Sequence, residues 1–178
     1  DRNHEDRTTR RELLEDIIEN TMKAGGTLVI PAFSIERTQE MLYEIENMME
    51  QSRIPLTPVF IDSPLAIHVT EIYTRYGDYL KTGLGGGRLD DGLFNFPQLH
   101  RALTTEEARA IAGFARRKII IAGSGMSTGG RVIHHEKRYL SDPASALLLV
   151  GYQTAGSLGR QLQDGTKLVR ILGEEVPV

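Results

Sequence analysis

The sequence contains no cysteine, so disulfide bonds and thiolate metal ligands are both excluded. It also has no apolar run of about 18 residues and no signal peptide, so we expect a cytoplasmic protein without a membrane partner. The net charge of −3 argues against broad, unspecific coating of nucleic acid. A local basic cleft is still compatible with that charge.

Histidine is present, but not at the spacing of a metal site. The five histidines are His4, His68, His100, His134 and His135, and none belongs to an H-x-H, H-x-x-x-H or H-E-x-x-H pattern. On a helix, His134 and His135 would point about 100° apart. Zinc hydrolases need several histidine or carboxylate ligands on a rigid framework. We therefore predict that this chain holds no metal or other cofactor and is inactive as a hydrolase by itself.

Short apolar runs alternate along the chain with segments of helical periodicity. Five runs are too short for helices, near residues 28–30, 58–61, 118–121, 146–150 and 167–172. The intervening segments predict helices at residues 9–24, 35–51, 64–80, 104–115, 128–140 and 157–163. This alternation predicts an α/β fold, with one mainly parallel, five-stranded or larger sheet covered by helices on both faces.

Residues 82–103 depart from this alternation. They contain five glycines, with Phe94 and Phe96 near the end. We interpret them as an irregular surface excursion. The chain opens at Asp1 rather than at methionine and ends in a segment that resembles a loop entering a strand, so we expect it to be a fragment of a longer protein.

The loops that follow the predicted strands carry the candidate binding residues. In a parallel sheet, ligands bind beyond the carboxyl ends of the strands. Glycine allows close approach of backbone amides to an anion, and arginine matches phosphate oxygens. The candidates for phosphate binding are Ser34, Arg37, Gln39, Asp62, Ser63, Ser124, Gly125, Met126, Gly129, Gly130, Gln153, Gly156, Ser157 and Arg160. Any one loop is more simply a tight turn or helix cap, but four together favour an anion site.

The same loops resemble those of the β-CASP nucleases. Residues 31–42 are similar to the family segment P-A-F-x-x-x-R-x-Q-E, followed by Leu or Met and then Leu. Further matching segments follow in the family's order: Asp62-Ser63-Pro64, Ser124-Gly125-Met126 with Gly129-Gly130, and Gly151-Tyr152-Gln153 with residues 156–160. Residues 173–178 resemble the bacterial and archaeal RNA-processing branch, related to ribonuclease J and the polyadenylation-specificity endonuclease. The resemblance covers essentially the whole chain.

The resemblance implies that residues 1–178 form a Rossmann-like cap domain, inserted as a lid into a metallo-β-lactamase domain. In that family the other domain holds two zinc ions, through an H-x-H-x-D-H motif and later histidines that this sequence lacks. The implied partners are RNA and the metallo-β-lactamase domain of a longer parent chain, whose zinc-activated water would cut the RNA. His4 would lie near the catalytic groove, or else be an exposed linker histidine.

Three functions stay open at this point. The first is the RNA-gripping cap domain of a zinc-dependent ribonuclease. The second is a nucleotide- or sugar-phosphate-binding module without a nuclease partner. The third is a non-enzymatic assembly module, such as a homodimer, in which residues 82–103 contact another subunit. Binding of single-stranded RNA rather than a mononucleotide would separate the first two, and a mass measurement in solution would test the third.

Overall fold

The computed structural model describes residues 6–79 and 93–178 of the chain. Its main sheet consists of β1 (Thr27–Pro31), β2 (Val59–Asp62), β3 (Leu99–Arg101), β4 (Lys118–Ala122) and β5 (Ala146–Leu147). The strands are ordered β3-β2-β4-β1-β5, and every pairing between them is parallel. The predicted α/β class with a parallel sheet is therefore confirmed.

Six helices accompany these strands in the described part of the chain: α1 (Arg7–Ala24), α2 (Arg37–Glu50), α3 (Pro64–Arg75), α4 (Thr105–Ala110), α5 (Val132–Tyr139) and α6 (Leu158–Gln163). Because side chains alternate along a strand, each strand supplies both faces of the sheet. Leu28 and Ile30 pack with α1, α2 and α3, whereas Val29 packs on the opposite face with Ile111 and with Val132 of α5. Helices thus cover both faces, as predicted. Among these helices none is long and apolar enough to cross a membrane.

Side-chain caps fix where several helices begin. The carboxylate of Asp6 accepts hydrogen bonds from the amides of Thr8 and Thr9, at 2.8 and 3.1 Å, and starts α1. Ser63 caps α3, whose first residue is Pro64. Thr104 and Glu107 form the predicted capping box of α4. Ser63 and Thr104, which follow β2 and β3, therefore start the helices that leave these strands.

The fifth predicted strand does not join the main sheet. Residues Leu168–Ile171 form β6, which pairs antiparallel with β7 (Glu174–Pro177) as a separate hairpin. Leu172 and Gly173 both have positive φ, 51° and 83°, which is the backbone of a two-residue hairpin turn. Burial alternates along β6, with only Val169 and Ile171 buried, because the hairpin packs through one side alone. A strand inside a parallel sheet would bury both sides.

The structure also corrects several predicted boundaries. Strand β3 lies inside residues 82–103, which the sequence predicted to be irregular, and residues 82–92 of that stretch lie outside the described residues. Leu80, the predicted end of the third helix, also lies outside them. Strand β5 is shorter than the predicted residues 146–150. Helix α3 ends at Arg75 and is followed by a 3-10 turn, Gly77–Tyr79, and α4 gives way to another, Ile111–Gly113. Helix α5 begins only at Val132, after Gly129 and Gly130.

Candidate functional site

The loops after β1, β2 and β4 meet at the carboxyl edge of the sheet. The hydroxyl oxygens of Ser34 and Ser63 lie 3.2 Å apart. A Cβ placed on Gly123 would lie 3.6 Å from Ser63 Oγ and 3.9 Å from Ser34 Oγ, so all three loops touch at this point. The parallel sheet brings them together because β4 lies between β1 and β2.

The loop after β5 packs against the loop after β4 through polar contacts. The side-chain amide of Gln153 donates to the carbonyl of Gly125 at 3.0 Å. The amide of Gly159 donates to the carbonyl of Met126 at 3.2 Å. Gly159 is required there, because a Cβ would lie 1.9 Å from Gln153 Oε1. The four loops predicted to share one edge are therefore in contact.

Hydroxyl groups fold the loop after β4 back on itself. Ser124 Oγ lies 3.0 Å from Thr128 Oγ1 and accepts the amide of Thr128 at 3.1 Å. Ser127, with φ of 55°, turns its hydroxyl inward and donates it to the buried carboxylate of Glu136. Burial raises the pKa of Glu136 to about 7, against the lowering effect of the hydrogen bond from Ser127. Gly125 and Ser127 are therefore buried inside this loop, whereas Thr128 and Gly130 are exposed to solvent.

A buried cluster beneath the loops was not predicted from the sequence. Asp62 Oδ1 accepts from Arg131 Nη1 at 2.8 Å, and Asp62 Oδ2 lies 2.7 Å from His135 Nε2. Arg131 also donates to the carbonyls of Ala102 and Leu103. The cluster connects the ends of β2 and β3 to the start of α5. No local motif indicated it, because Asp62 and His135 are 73 residues apart.

The predicted binding residues fall into two groups by exposure. Gln39, Asp62, Gly125, Gln153 and Ser157 are buried and hold the loops in place. Gln39, for example, donates to the carbonyl of Ser34 and to Thr70 Oγ1. Solvent reaches the other predicted residues, which are Ser34, Arg37, Ser63, Ser124, Met126, Gly129, Gly130, Gly156 and Arg160. His4 lies outside the described residues.

The three arginines of the four converging loops, Arg37, Arg131 and Arg160, each have a carboxylate partner. Arg131 is bound to the buried Asp62, as described. Arg37 pairs with Glu40 on its own helix, and Arg160 Nε lies 2.9 Å from both carboxylate oxygens of Asp164. The Arg37 and Arg160 side chains are 34% and 38% exposed. Since such surface pairs contribute little to stability, both guanidinium groups remain free to exchange the carboxylate for another anion.

The described residues do not fit a metal centre. Within residues 6–79 and 93–178, no group of three or more His, Cys, Asp or Glu side chains is placed to hold a metal ion. Both carboxylate oxygens of Asp62 are already used, by Arg131 and His135.

A parallel sheet with helices on both faces and its loops gathered at one edge is consistent with a Rossmann-like β-CASP domain. The model of the Beta-Casp domain matches residues 38–162, and this chain belongs to that family. It is 41% identical to Ribonuclease TTHA0252 of Thermus thermophilus over 97% of this chain and 39% of the relative. It is 32% identical to an RNase J-like protein of Methanocaldococcus jannaschii, over 97% of this chain and 39% of the relative.

A third relative carries a different name. The chain is 32% identical to the transcription termination factor FttA of Methanosarcina mazei, over 90% of this chain. It covers 25% of that protein and 39% of the two named above. The chain therefore spans well under half the length of the curated relatives that it matches.

Proposed function

We propose that this domain is the RNA-binding cap of a metal-dependent ribonuclease, and that the loops at the carboxyl edge of its sheet contact RNA phosphates. The observation that carries the proposal is the convergence of four loops rich in glycine and hydroxyl groups at one edge. Membership of the β-CASP family and the names of the ribonuclease relatives support the substrate class. The alternative function, binding of a free nucleotide or sugar phosphate, would use the same loops.

Two glycines leave open space where an anion can approach the backbone. A Cβ on Gly129 or Gly156 would meet nothing within 4 Å, whereas Cβ atoms on Gly125, Gly130 and Gly159 would collide with neighbouring atoms. Gly156 has φ of 85°, a conformation that L side chains rarely adopt. We therefore assign the direct phosphate approach to Gly129 and Gly156, with Ser124 and Thr154 beside them, and a packing role to the other three.

Hydrolysis in this proposal depends on residues outside this chain. The ionisable residues described above do not form a metal site, so two zinc ions would be held by a metallo-β-lactamase domain of the parent protein. This domain would position the RNA against that site. A cytoplasmic location fits an RNA substrate and belongs to the same proposal.

The arginines would act by exchanging partners. When a phosphate approaches, Arg37 would leave Glu40 and Arg160 would leave Asp164, since a phosphate accepts two parallel hydrogen bonds from a guanidinium as a carboxylate does. Arg131, which is only partly exposed, would stay with the buried carboxylate of Asp62. Only the surface arginines should therefore contribute to the salt dependence of RNA binding.

The experiment measures RNA affinity against salt concentration in the longer protein that contains this domain. Arg37→Ala and Arg160→Ala should each weaken binding of many single-stranded sequences and reduce the salt slope by about one. Arg116→Ala is the matched control, because Arg116 also pairs with an aspartate, Asp142, but at the opposite edge of the sheet. If both test variants bind RNA as the control does, the loops are structural turns. Equal affinity for a mononucleotide and for RNA would favour the nucleotide-binding alternative.

A further inference from the structure

Two aromatic side chains are exposed among the loops of the proposed phosphate site. Phe33 follows β1 and is 44% exposed, and Tyr152 follows β5 and is 76% exposed. Solvent exposure of single apolar residues is ordinary, so exposure alone assigns no role to either ring. Their position is more informative, because each ring is directly beside a residue of the converging loops: Ser34 follows Phe33, and Gln153 follows Tyr152.

The ring of Phe33 is seated on two glycines from different loops. A Cβ on Gly125 would lie 2.9 Å from Phe33 Cδ2 and 2.8 Å from the Phe33 amide nitrogen. A Cβ on Gly151 would lie 3.3 Å from Phe33 Cε2. Any side chain at Gly125 would therefore displace the ring, and one at Gly151 would press on it. The glycines support Phe33 from the protein side while 44% of the residue stays open to solvent.

This arrangement has the features of a stacking platform. The Cδ2 and Cε2 atoms of Phe33 lie close to Gly125 and Gly151, and the exposed part of the ring is available to a flat partner. Tyr152 is joined to the same platform through Gly151, its chain neighbour. Every nucleobase has a π-face that can stack on such a ring, so the contact tolerates any sequence.

We propose that Phe33 and Tyr152 stack against unpaired bases of the bound strand, and that this contact makes the domain select single-stranded over double-stranded RNA. The inference rests on the proposed function, since it needs the strand's phosphates at the neighbouring loops. In a duplex the base faces are covered by their neighbours, so only an unpaired strand can offer them to protein rings. Phosphate contacts alone would not distinguish the two forms in this way.

A nucleic acid suits the surface around Phe33 and Tyr152 better than another protein does. The loops that carry the two rings, and the loops in contact with them, also carry hydroxyl and glycine residues that solvent reaches, namely Ser34, Ser63, Ser124, Thr154 and Gly156. Alternation of aromatic rings with groups that bind the backbone is the pattern of single-strand binding surfaces. Ile35 and Leu65, which are also exposed on this edge, would suit a protein contact, and the experiment includes that outcome.

The test uses the longer protein that contains this domain and three probes: a single-stranded RNA, an abasic strand of the same length, and the corresponding duplex. Phe33→Leu and Tyr152→Leu should each weaken binding of the base-containing strand by about 5- to 150-fold, the range for loss of one stacked base. Their affinity for the abasic strand, and the salt slope, should not change. Tyr152→Phe should retain the wild-type behaviour because it keeps the ring. Tyr76→Leu removes an exposed tyrosine near the end of α3 and serves as the control.

A spectroscopic measurement separates stacking from a structural effect. RNA carrying 2-aminopurine should lose fluorescence on binding to the wild type and to Tyr152→Phe, but not to Tyr152→Leu. If the leucine variants bind base-containing and abasic strands with the wild-type ratio, the stacking inference is wrong while the phosphate site stands. If the arginine variants of the proposed function have no effect either, the proposed function itself fails. A fall in thermal stability of the longer protein with an unchanged ratio would show that the rings pack against the protein itself rather than against bases, and it would overturn the inference.

Discussion

His135 Nε2 lies 2.7 Å from Asp62 Oδ2, and both side chains are buried. The other oxygen of Asp62 accepts from Arg131, so one carboxylate binds two residues that flank the start of α5. With the carboxylate ionised, His135 must carry its proton on Nε2 to donate this bond. The loop after β4 is therefore anchored from below at the end nearer to α5.

Removing this carboxylate should destabilise the domain strongly. Asp62→Ala leaves Arg131 and His135 without their partner, and breaking a buried pair in this way costs about 3–5 kcal/mol. We expect a loss of that order in the free energy of unfolding, measured by urea denaturation. Asp164→Ala removes the exposed partner of Arg160 and should cost less than about 1 kcal/mol. Equal losses in the two variants would show that the buried cluster stabilises the domain no more than an exposed ion pair does.

The buried carboxyl of Glu136 should make the stability fall as the pH rises. Its pKa is raised by burial from 4.5 to about 7, so the folded state binds this proton more tightly than the unfolded state does. The resulting stabilisation is complete below pH 4.5 and is lost between there and about pH 7. The loss amounts to about 3 kcal/mol at 1.36 kcal/mol per pKa unit.

Glu136→Gln isolates this effect, because glutamine does not titrate and can still accept the hydroxyl of Ser127. Between pH 5 and 8 the variant should gain about 2–3 kcal/mol relative to the wild type in urea denaturation. Glu46 changes the stability in the same direction, because burial and repulsion from Glu50 raise its pKa to about 7. The comparison with wild type removes this contribution, since both proteins contain Glu46. A difference between the two proteins that stays constant with pH would contradict the assignment.

Substituting Gly125 should disturb the contact between the loops after β1 and β4. A Cβ there would lie 2.8 Å from the Phe33 amide nitrogen and 3.1 Å from the Ala32 carbonyl carbon, and backbone cannot rotate away as a side chain can. Gly125→Ala should therefore cost about 1–3 kcal/mol, as overpacking typically does. Gly113→Ala is the control, because its Cβ would meet nothing within 4 Å. Calorimetric unfolding of the two variants checks the difference.

Freeing Arg160 should strengthen RNA binding if it exchanges Asp164 for phosphate. Asp164→Asn weakens that competing ion pair, and we expect an affinity gain of up to about 5-fold, the equivalent of a surface pair of about 1 kcal/mol. The same substitution in an Arg160→Ala background should give no gain. A gain of equal size in both backgrounds would show that Asp164 acts only by general repulsion of the strand.

The sequence predicts the main strands well because they are continuous apolar runs. Ile119, Ile120 and Ile121 sit in the central strand and are buried on both sides, so their pattern is unambiguous. Strand β3 escaped prediction because Leu99-His100-Arg101 at the sheet edge is only partly buried and carries little apolar signal. The apolar run at residues 168–171 was wrongly assigned to the main sheet, because hydrophobicity does not show which strand it pairs with. Its turn, Leu172-Gly173, was the available signal for a hairpin.

The sequence indicates where the loops gather, but it does not indicate the structural role of each residue in them. The rule that loops gather at the carboxyl edge of a parallel sheet located the four segments. The rule does not show that Gln153 is buried and donates to the carbonyl of Gly125. It also does not show that a Cβ on Gly159 would collide with the side chain of Gln153. Those roles depend on contacts between residues far apart in the chain. The same holds for Asp62, whose partners follow it by about seventy residues.

The strand order has a consequence for how this chain folds as it leaves the ribosome. Strand β1 pairs only with β4 and β5 among the described strands. Thr27 therefore cannot pair until Lys118, its partner in the register, has been synthesised. Until then β1 has no strand to pair with, although α1 and α2, which pack on it in the folded domain, have been synthesised. Closing such long loops is slow. β1 therefore stays unpaired until β4 is available, and a pause before Lys118 would prolong the exposure of β1 to other unpaired strands.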